Sequence, residues 1–297
     1  MTSWRVGSIF SHAQLRRRLG SMRVLALGSC RVHDPLTAAD DAGEIEYLNR
    51  RFRRNRPAYL HDIHEAIQFA RLVRGEVVMP KGIDLFAYDG GLNVDRGMIG
   101  AFEQPDWVVV EVCTDKHYEA GGWTLNVNEL HRHLVKAAGA AGEEWWKTID
   151  RNQASSEALA QAVEVELKAR WRTRRGFGDG HRLMLRRLAF RYLTAMEMAK
   201  ELADLRALLA APILVVPHVA VRLPDGAYLT ERLQHIEKVL MAAGAVGLPC
   251  LDPRTFVVRD GQARALAEGG SDYHHYASDY VPIVGREIVR ALADACI

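Results

Sequence analysis

The sequence has few cysteines and no long hydrophobic segment. Its 297 residues include Cys30, Cys113, Cys250 and Cys296, and none of these four belongs to a C-x-x-C pair. That number and spacing exclude a small disulfide scaffold, a zinc ribbon and a thioredoxin-like motif. No run of about 18 apolar residues occurs, so the sequence predicts no transmembrane segment.

The chain also lacks a strong charge of either sign. Lys and Arg number 39, Asp and Glu number 37, and the net charge is +2. This balance gives no reason to expect nucleic acid as a partner. The first 20 residues contain no apolar stretch typical of a secretory signal, so we predict a cytoplasmic protein with reduced thiols. With 48% hydrophobic residues, the chain has enough apolar material for a globular core.

Short apolar runs alternate with helical patterns along most of the chain. Predicted strands cover residues 22–27, 106–112, 212–216 and 248–252, and predicted helices cover residues 61–73, 183–209, 229–243 and 281–293. This alternation indicates an α/β fold built on a three-layer, doubly wound parallel sheet.

Residues 121–209 depart from this alternation. They contain long helical patterns, at 157–171 and 182–209, and no clear strand. The stretch is long for a single crossover connection. We therefore predict an α/β core formed by residues 1–120 and 210–297, interrupted by a helical insertion lobe. Arginine clusters at residues 50–56 and 170–175 are either solvated surface or anion sites for phosphates or acidic sugars.

Cys30 follows the first predicted strand in a Gly-Ser-Cys turn. Ligands of open parallel sheets bind outside the carboxyl ends of the strands, so this turn belongs to the predicted binding edge. Backbone N–H groups at a helix start favour negative charge, lower the pKa of a thiol and can hold an oxyanion. A buried structural cysteine behind a glycine turn is the alternative interpretation.

A second candidate segment precedes the last predicted helix. Asp272 and His275 are spaced i, i+3, so the carboxylate can hold one imidazole nitrogen and leave the other as a general base. A base beside a cysteine is the pattern of nucleophilic catalysis. His274 competes for the role of base, and the spacing does not separate the two histidines. Both could also cap a helix or lie in solvent.

These two segments resemble the SGNH (GDSL-like) hydrolase superfamily, in its divergent branch with Gly-Ser-Cys at the first block. Residues 24–30 match the first block and residues 272–275 match the Asp-x-x-His of the last block. The resemblance implies an α/β/α sandwich in which Cys30 is the nucleophile, His275 the base and Asp272 its orienting carboxylate.

At the third block, this chain departs from the sequence Gly-x-Asn-Asp that is usual in the family. Residues 112–115 read Val-Cys-Thr-Asp, so Thr114 takes the position of the asparagine that donates to the oxyanion. Gly90 and Gly91 are the candidates for the second-block glycine. The resemblance implies that Ser29, Thr114 and the Cys30 N–H shape the oxyanion region. The candidates for oxyanion and substrate binding are thus Ser29, Arg31, Thr114, Asp115 and His274.

The chain is also similar to WcbI-type capsular polysaccharide biosynthesis proteins, which bind coenzyme A. The shared features are a small-residue-Cys turn after the first strand and a large helical insertion. This similarity implies coenzyme A or acyl-CoA as a ligand, with no required cofactor, and a small molecule, glycan or acyl carrier as substrate. Such a ligand would also give the arginine clusters a role, because arginines can pair with the phosphates of coenzyme A.

Four functions are compatible with these observations. The first is acyl transfer, or ester or thioester hydrolysis, by a cysteine nucleophile, because a thiolate forms a thioester that can pass its acyl group on. The second is non-catalytic binding of coenzyme A or an acyl carrier. A metal site at the strand ends is the third, but no H-x-x-x-H spacing supports it and we predict none. Nucleic-acid binding by the arginine clusters is the fourth.

Overall fold

The computed structural model describes residues 22–52, 59–89, 91–151, 157–170 and 178–296. Its strands are β1 (Arg23–Leu27), β2 (Glu46–Tyr47), β3 (Trp107–Val112), β4 (Lys116–Ala120), β5 (Trp123–Thr124), β6 (Ala189–Tyr192) and β7 (Ile213–Pro217). Its α-helices are α1 (Cys30–Asp41), α2 (Ile63–Val73), α3 (Asp84–Ala87), α4 (Arg96–Glu103), α5 (Val127–Leu130), α6 (Lys136–Ala138), α7 (Ala140–Asp150), α8 (Glu157–Arg170), α9 (Asp179–Arg187), α10 (Ala195–Leu209), α11 (Thr230–Ala245), α12 (Arg254–Asp260), α13 (Gln262–Ala265), α14 (Ala267–Gly270) and α15 (Val281–Asp294). A 3₁₀ turn covers Leu48–Arg51 and a π-helical turn covers His131–Val135.

The central sheet is parallel and has the strand order β2-β1-β3-β7. Leu25 pairs with Val108, and Val110 pairs with Val215. The prediction of an α/β protein with a parallel sheet is confirmed. The predicted strand at residues 248–252 was wrong in extent, because it contributes only an isolated parallel bridge between Val215 and Cys250. Pro249 has no N–H to donate to the ladder, which explains why the pairing does not extend.

Hydrophobic cores lie on both faces of this sheet. Leu25 and Leu27 pack into one core with α2, α4, α10 and α11, whereas Val24 and Ala26 pack into the other with α1, α12 and α15. Side chains alternate between the two faces of a strand, so a continuous apolar run such as Val-Leu-Ala-Leu serves both cores.

Residues 121–209 are mostly helical but also contain β5 and β6, which the sequence did not predict. These two strands flank β4 in an antiparallel sheet of order β5-β4-β6. Trp145 is fully buried in a third core, which joins this small sheet to α7, α8 and α9. The predicted helix at 182–209 is broken by β6, and α10 begins at a capping box in which Thr194 and Glu197 exchange hydrogen bonds.

Within the part of the chain that the structure describes, no helix is both long and apolar enough to cross a membrane.

Helices α1 and α15 pack closely at Gly285. A Cβ atom on Gly285 would lie 2.5 Å from the carbonyl oxygen of Pro35, too close for a van der Waals contact. We expect Gly285→Ala to lower the free energy of unfolding by about 1–3 kcal/mol, because overpacking forces the two helices apart. Urea denaturation measures this change.

Gly244→Ala is the matched control for this substitution. Gly244 lies within α11, and a Cβ atom there would meet no other atom within 4 Å. Alanine fits the helix and leaves the unfolded chain with less conformational freedom than glycine does. The variant should therefore be as stable as the wild type, or more stable by up to about 1 kcal/mol. Equal effects of the two substitutions would contradict the close approach of α1 and α15.

Candidate functional site

A cleft of about 1140 Å³ lies at the carboxyl ends of β1, β3 and β7. Seven of the eight predicted site residues line it: Ser29, Cys30, Arg31, Thr114, Asp115, His274 and His275. The eighth, Asp272, lies directly behind His275. Because parallel strands end at the same edge of a sheet, three segments that are remote in sequence meet here.

Cys30 is the first residue of α1, and Ser29 is the helix N-cap. The Ser29 hydroxyl accepts a hydrogen bond from the N–H of Arg31 at 3.3 Å. N–H groups of a first helical turn have no partner within the helix. The N–H of Arg31 is taken up by the Ser29 hydroxyl, whereas the N–H of Cys30 has no acceptor among the described residues. It is therefore the candidate oxyanion donor.

The Cys30 thiol is half-buried, and its burial raises its pKa. The nearby charge of Arg31 opposes this effect, whereas that of Glu111 adds to it. The expectation of a lowered pKa was therefore wrong in direction, because desolvation of the thiolate outweighs the charge of Arg31 and the hydrogen bond with Ser29. At neutral pH the thiol holds its proton, so chemistry at Cys30 needs a base.

Glu111 lies beneath the Gly-Ser-Cys turn and was missed by the sequence analysis. Its carboxylate accepts hydrogen bonds from the N–H and the hydroxyl of Ser29, at 2.8 and 2.7 Å, and from Nε of Arg31 at 2.6 Å. Burial by itself would raise the pKa of Glu111, but Arg31 and Ser29 outweigh it and lower that pKa. The available signal was a glutamate within the apolar strand Trp-Val-Val-Val-Glu-Val, because a buried carboxylate needs partners.

Arg31 joins the first candidate segment to the last. Its side chain is 8% exposed, and one guanidinium nitrogen donates to the carbonyl oxygen of His274 at 3.1 Å. The guanidinium is thus held by Glu111 on one side and by the late segment on the other. Ser29 similarly has both of its donors engaged by Glu111. Both residues therefore support the turn that carries Cys30.

Thr114 and Asp115 follow β3 on the floor of the cleft. The Thr114 N–H donates to the carbonyl oxygen of His61 at 3.1 Å, and its hydroxyl oxygen accepts from the N–H of Lys116. Within the described part of the chain, the Thr114 hydroxyl proton has no acceptor, so it remains a candidate oxyanion donor. Asp115 forms an ion pair with Lys238 at 2.5 Å.

Asp272 and His275 form the predicted carboxylate–imidazole pair. Oδ2 of Asp272 lies 2.8 Å from Nδ1 of His275, and Oδ1 accepts the N–H groups of His274 and His275. The N–H of His274 and the ring of His275 lower the pKa of Asp272. A carboxylate at Nδ1 leaves Nε2 of His275 to exchange a proton.

His274 has different surroundings. Its ring contacts that of His218, with centroids 6.2 Å apart. Burial lowers the pKa of His274, and the charges of Arg232 and Arg31 lower it further. The orienting carboxylate oxygen thus contacts the ring of His275 and not that of His274. This geometry favours His275 as the base, a choice that the spacing alone left open.

Helix α11 forms one wall of the cleft and carries functional candidates that the sequence analysis missed. These are Arg232, His235 and Lys238, which all line the cleft. The available signal was their i, i+3 spacing, which places three basic or titratable side chains on one helix face.

Several predicted features lie outside the described residues: residues 53–56, residues 171–175 and Gly90. The described arginines of the two clusters make local contacts. Arg50 and Arg51 form ion pairs with Asp40, Asp41 and Glu46, and Arg170 donates to two carbonyl oxygens. No group of three or more His, Cys, Asp or Glu side chains among the described residues is arranged to hold a metal ion.

The fold and the cleft define an α/β protein with a cysteine at a helix start and an Asp–His pair at the same sheet edge. Residues 22–291 match the family of the TviD N-terminal domain, so the chain belongs to that family. The Vi polysaccharide biosynthesis protein TviD of Salmonella typhi is a relative, 23% identical over 281 residues. The alignment covers 94% of this chain and 32% of that protein, so the chain spans about a third of its relative's length.

A solved crystal structure aligns with 94% of this chain and 99% of its own, at 10% identity. The TM-score of 0.38 is too low to indicate a shared fold.

Proposed function

We propose that this protein transfers an acyl group, or hydrolyses an ester or thioester, through a covalent intermediate on Cys30. The proposal is carried by one observation: Cys30, at the start of α1, and His275, held by Asp272, line the same cleft. The resemblance of both segments to the SGNH hydrolases supports this assignment. The role of the relative TviD in Vi polysaccharide biosynthesis supports a glycan intermediate as the substrate class.

The base is required because burial raises the pKa of the Cys30 thiol. Nε2 of His275 takes the thiol proton, and the sulfur attacks the acyl carbonyl carbon. The N–H of Cys30 and the hydroxyl of Thr114 donate to the oxyanion of the tetrahedral intermediate. The intermediate then expels its alcohol or thiol, which takes the proton from His275, and leaves a thioester on Cys30.

The second half-reaction restores the free thiol. A glycan hydroxyl, or water in the hydrolytic case, gives its proton to His275 and attacks the thioester carbonyl. Collapse of this second intermediate breaks the bond between carbon and sulfur, and the thiolate regains the proton from His275. Asp272 holds the imidazole in the required orientation and stabilises its cationic form.

Acetylation of Cys30 tests the proposal. The protein should gain one acetyl group when it is incubated with p-nitrophenyl acetate or an acetyl thioester, and peptide mapping by mass spectrometry should place that group on Cys30. Cys30→Ala should abolish the modification. Cys250→Ala is the control, because this half-buried thiol does not line the cleft and burial raises its pKa to about 12. Equal acetylation of the Cys30→Ala variant would exclude this mechanism.

The cations of the cleft favour a second candidate function, in which the protein binds coenzyme A or an acyl carrier without catalysis. Arg232 and Lys116 line the cleft and could pair with phosphates. This candidate predicts that coenzyme A raises the melting temperature of the protein while no acyl-enzyme forms. Formation of an acyl-enzyme on Cys30 would exclude it.

A further inference from the structure

The charged side chains of the cleft differ in how they are neutralised. Lys238 pairs with Asp115 at 2.5 Å, and Arg31 pairs with Glu111 at 2.6 Å. Arg232 has no such partner, because no carboxylate of the described residues lies within ion-pair distance of its guanidinium. Its one side-chain hydrogen bond in the described structure goes to the carbonyl oxygen of Tyr273.

The surroundings of Arg232 leave its charge uncompensated. The side chain is half-buried, and burial together with the charge of Arg31 lowers the pKa of Arg232 to about 10. The guanidinium still carries its proton at neutral pH. The neighbouring rings of His218 and His274 supply no counter-charge, because an imidazole is either neutral or cationic, and burial favours the neutral form of both. A charge that is partly removed from water without a counter-charge costs free energy, and an anionic ligand would offset this cost.

The position of Arg232 relates it to the reaction. The contact with Tyr273 places the guanidinium beside the segment that carries Asp272 and His275. Its charge lowers the pKa of His274, whose ring lines the same cleft as Cys30. The guanidinium nitrogens not engaged by Tyr273 can donate in parallel to two oxygens of one carboxylate or phosphate.

We propose that Arg232 binds a carboxylate or phosphate group of the substrate, and that the cleft therefore selects an anionic substrate. The substrate class rests on the function proposed above, whereas the binding of the anion does not. The anion belongs either to the acyl acceptor, as the carboxylate of an acidic sugar, or to the acyl donor, as the phosphates of coenzyme A.

Calorimetric titration of the Cys30→Ala protein separates these sources, because this variant binds ligands without acyl chemistry. Oligomers of glucuronic acid are compared with matching oligomers of glucose, and acetyl-CoA is compared with S-acetylpantetheine, which lacks the nucleotide phosphates. In one of the two pairs, the charged ligand should bind more tightly than its uncharged counterpart. That pair identifies whether the acceptor or the donor supplies the anion.

Arg232→Gln in the same background should weaken binding of the preferred charged ligand by about tenfold or more, as expected for a lost charge-assisted hydrogen bond. Binding of the uncharged counterpart should not change. Arg232→Lys should retain part of the preference, because it keeps the charge and loses the planar guanidinium. Arg286→Gln removes one exposed charge from α15 and should have no effect.

Two results would overturn the proposal. One is the absence of any preference for the charged ligand in both pairs. The other is an equal loss of affinity for the charged and the uncharged ligand in Arg232→Gln, which would mean that Arg232 only holds Tyr273 in place. Failure of Cys30 to become acetylated would overturn the proposed reaction and leave these binding results standing.

Discussion

Replacement of His275 by alanine should slow acetylation of Cys30 by about a hundredfold to ten-thousandfold, the range typical of a lost general base. The physical reason is the state of the thiol: burial raises the pKa of Cys30, so the sulfur depends on a neighbouring base to become a nucleophile. Stopped-flow release of p-nitrophenolate from p-nitrophenyl acetate measures the rate.

His274→Ala is the matched control, since the two histidines are adjacent and both line the cleft. The ring of His275 contacts a carboxylate oxygen of Asp272, so the loss in His274→Ala should be much smaller. The defect of His275→Ala should also shrink as pH rises, because the Cys30 thiol then ionises without help. A larger loss in His274→Ala, or a defect of His275→Ala that is independent of pH, would contradict the assignment of the base.

Glu111→Gln should lower the free energy of unfolding by about 3 kcal/mol or more, because it leaves the buried guanidinium of Arg31 without its counter-charge. The carboxamide also cannot accept all of the hydrogen bonds that the carboxylate takes from Ser29 and Arg31. Urea denaturation measures the stability. Glu144→Gln is the control: it breaks only an exposed ion pair with Lys147, which solvent screens, and should leave the stability nearly unchanged.

The effect of Glu111→Gln should depend on pH. Arg31 and Ser29 outweigh burial and lower the pKa of Glu111 in the folded state. The stabilisation from ionised Glu111 is therefore fully present above the pKa of an ordinary glutamate, and it is lost as pH falls through the lower folded-state pKa. The stability difference between wild type and variant should shrink in acid. A difference of less than about 1 kcal/mol at neutral pH would show that the Arg31–Glu111 pair does not hold the turn.

The predictions that held concern neighbouring residues and regular patterns. The contact between Asp272 and His275 could be predicted because residues three apart on a turn lie close together, independently of distant parts of the fold. The apolar runs predicted β1, β3 and β7 because strands buried on both faces must be continuously apolar. The cleft followed from the rule that parallel strands present their carboxyl ends together.

The predictions that failed concern segments whose conformation depends on distant partners. The helical pattern of residues 182–209 continues through β6, but that strand forms because β4 offers it a partner. The capping box at Thr194 and Glu197 was a local sign of the break. The direction of the Cys30 pKa shift failed for a similar reason, since the helix start is visible in sequence whereas burial and the charge of Glu111 are not.

Local order along the chain thus decided the elements, the sheet edge and the residue types available for chemistry, because these follow from periodicity and turn residues. Tertiary structure alone decided which of those residues lie close together. Folding brings together residues that lie far apart in sequence: Glu111 contacts Ser29, and Arg31 contacts the carbonyl oxygen of His274. Folding also leaves Arg232 beside Tyr273 without a counter-charge. Their energetics depend on burial and on charges brought near by folding, and neither quantity is encoded in any single segment.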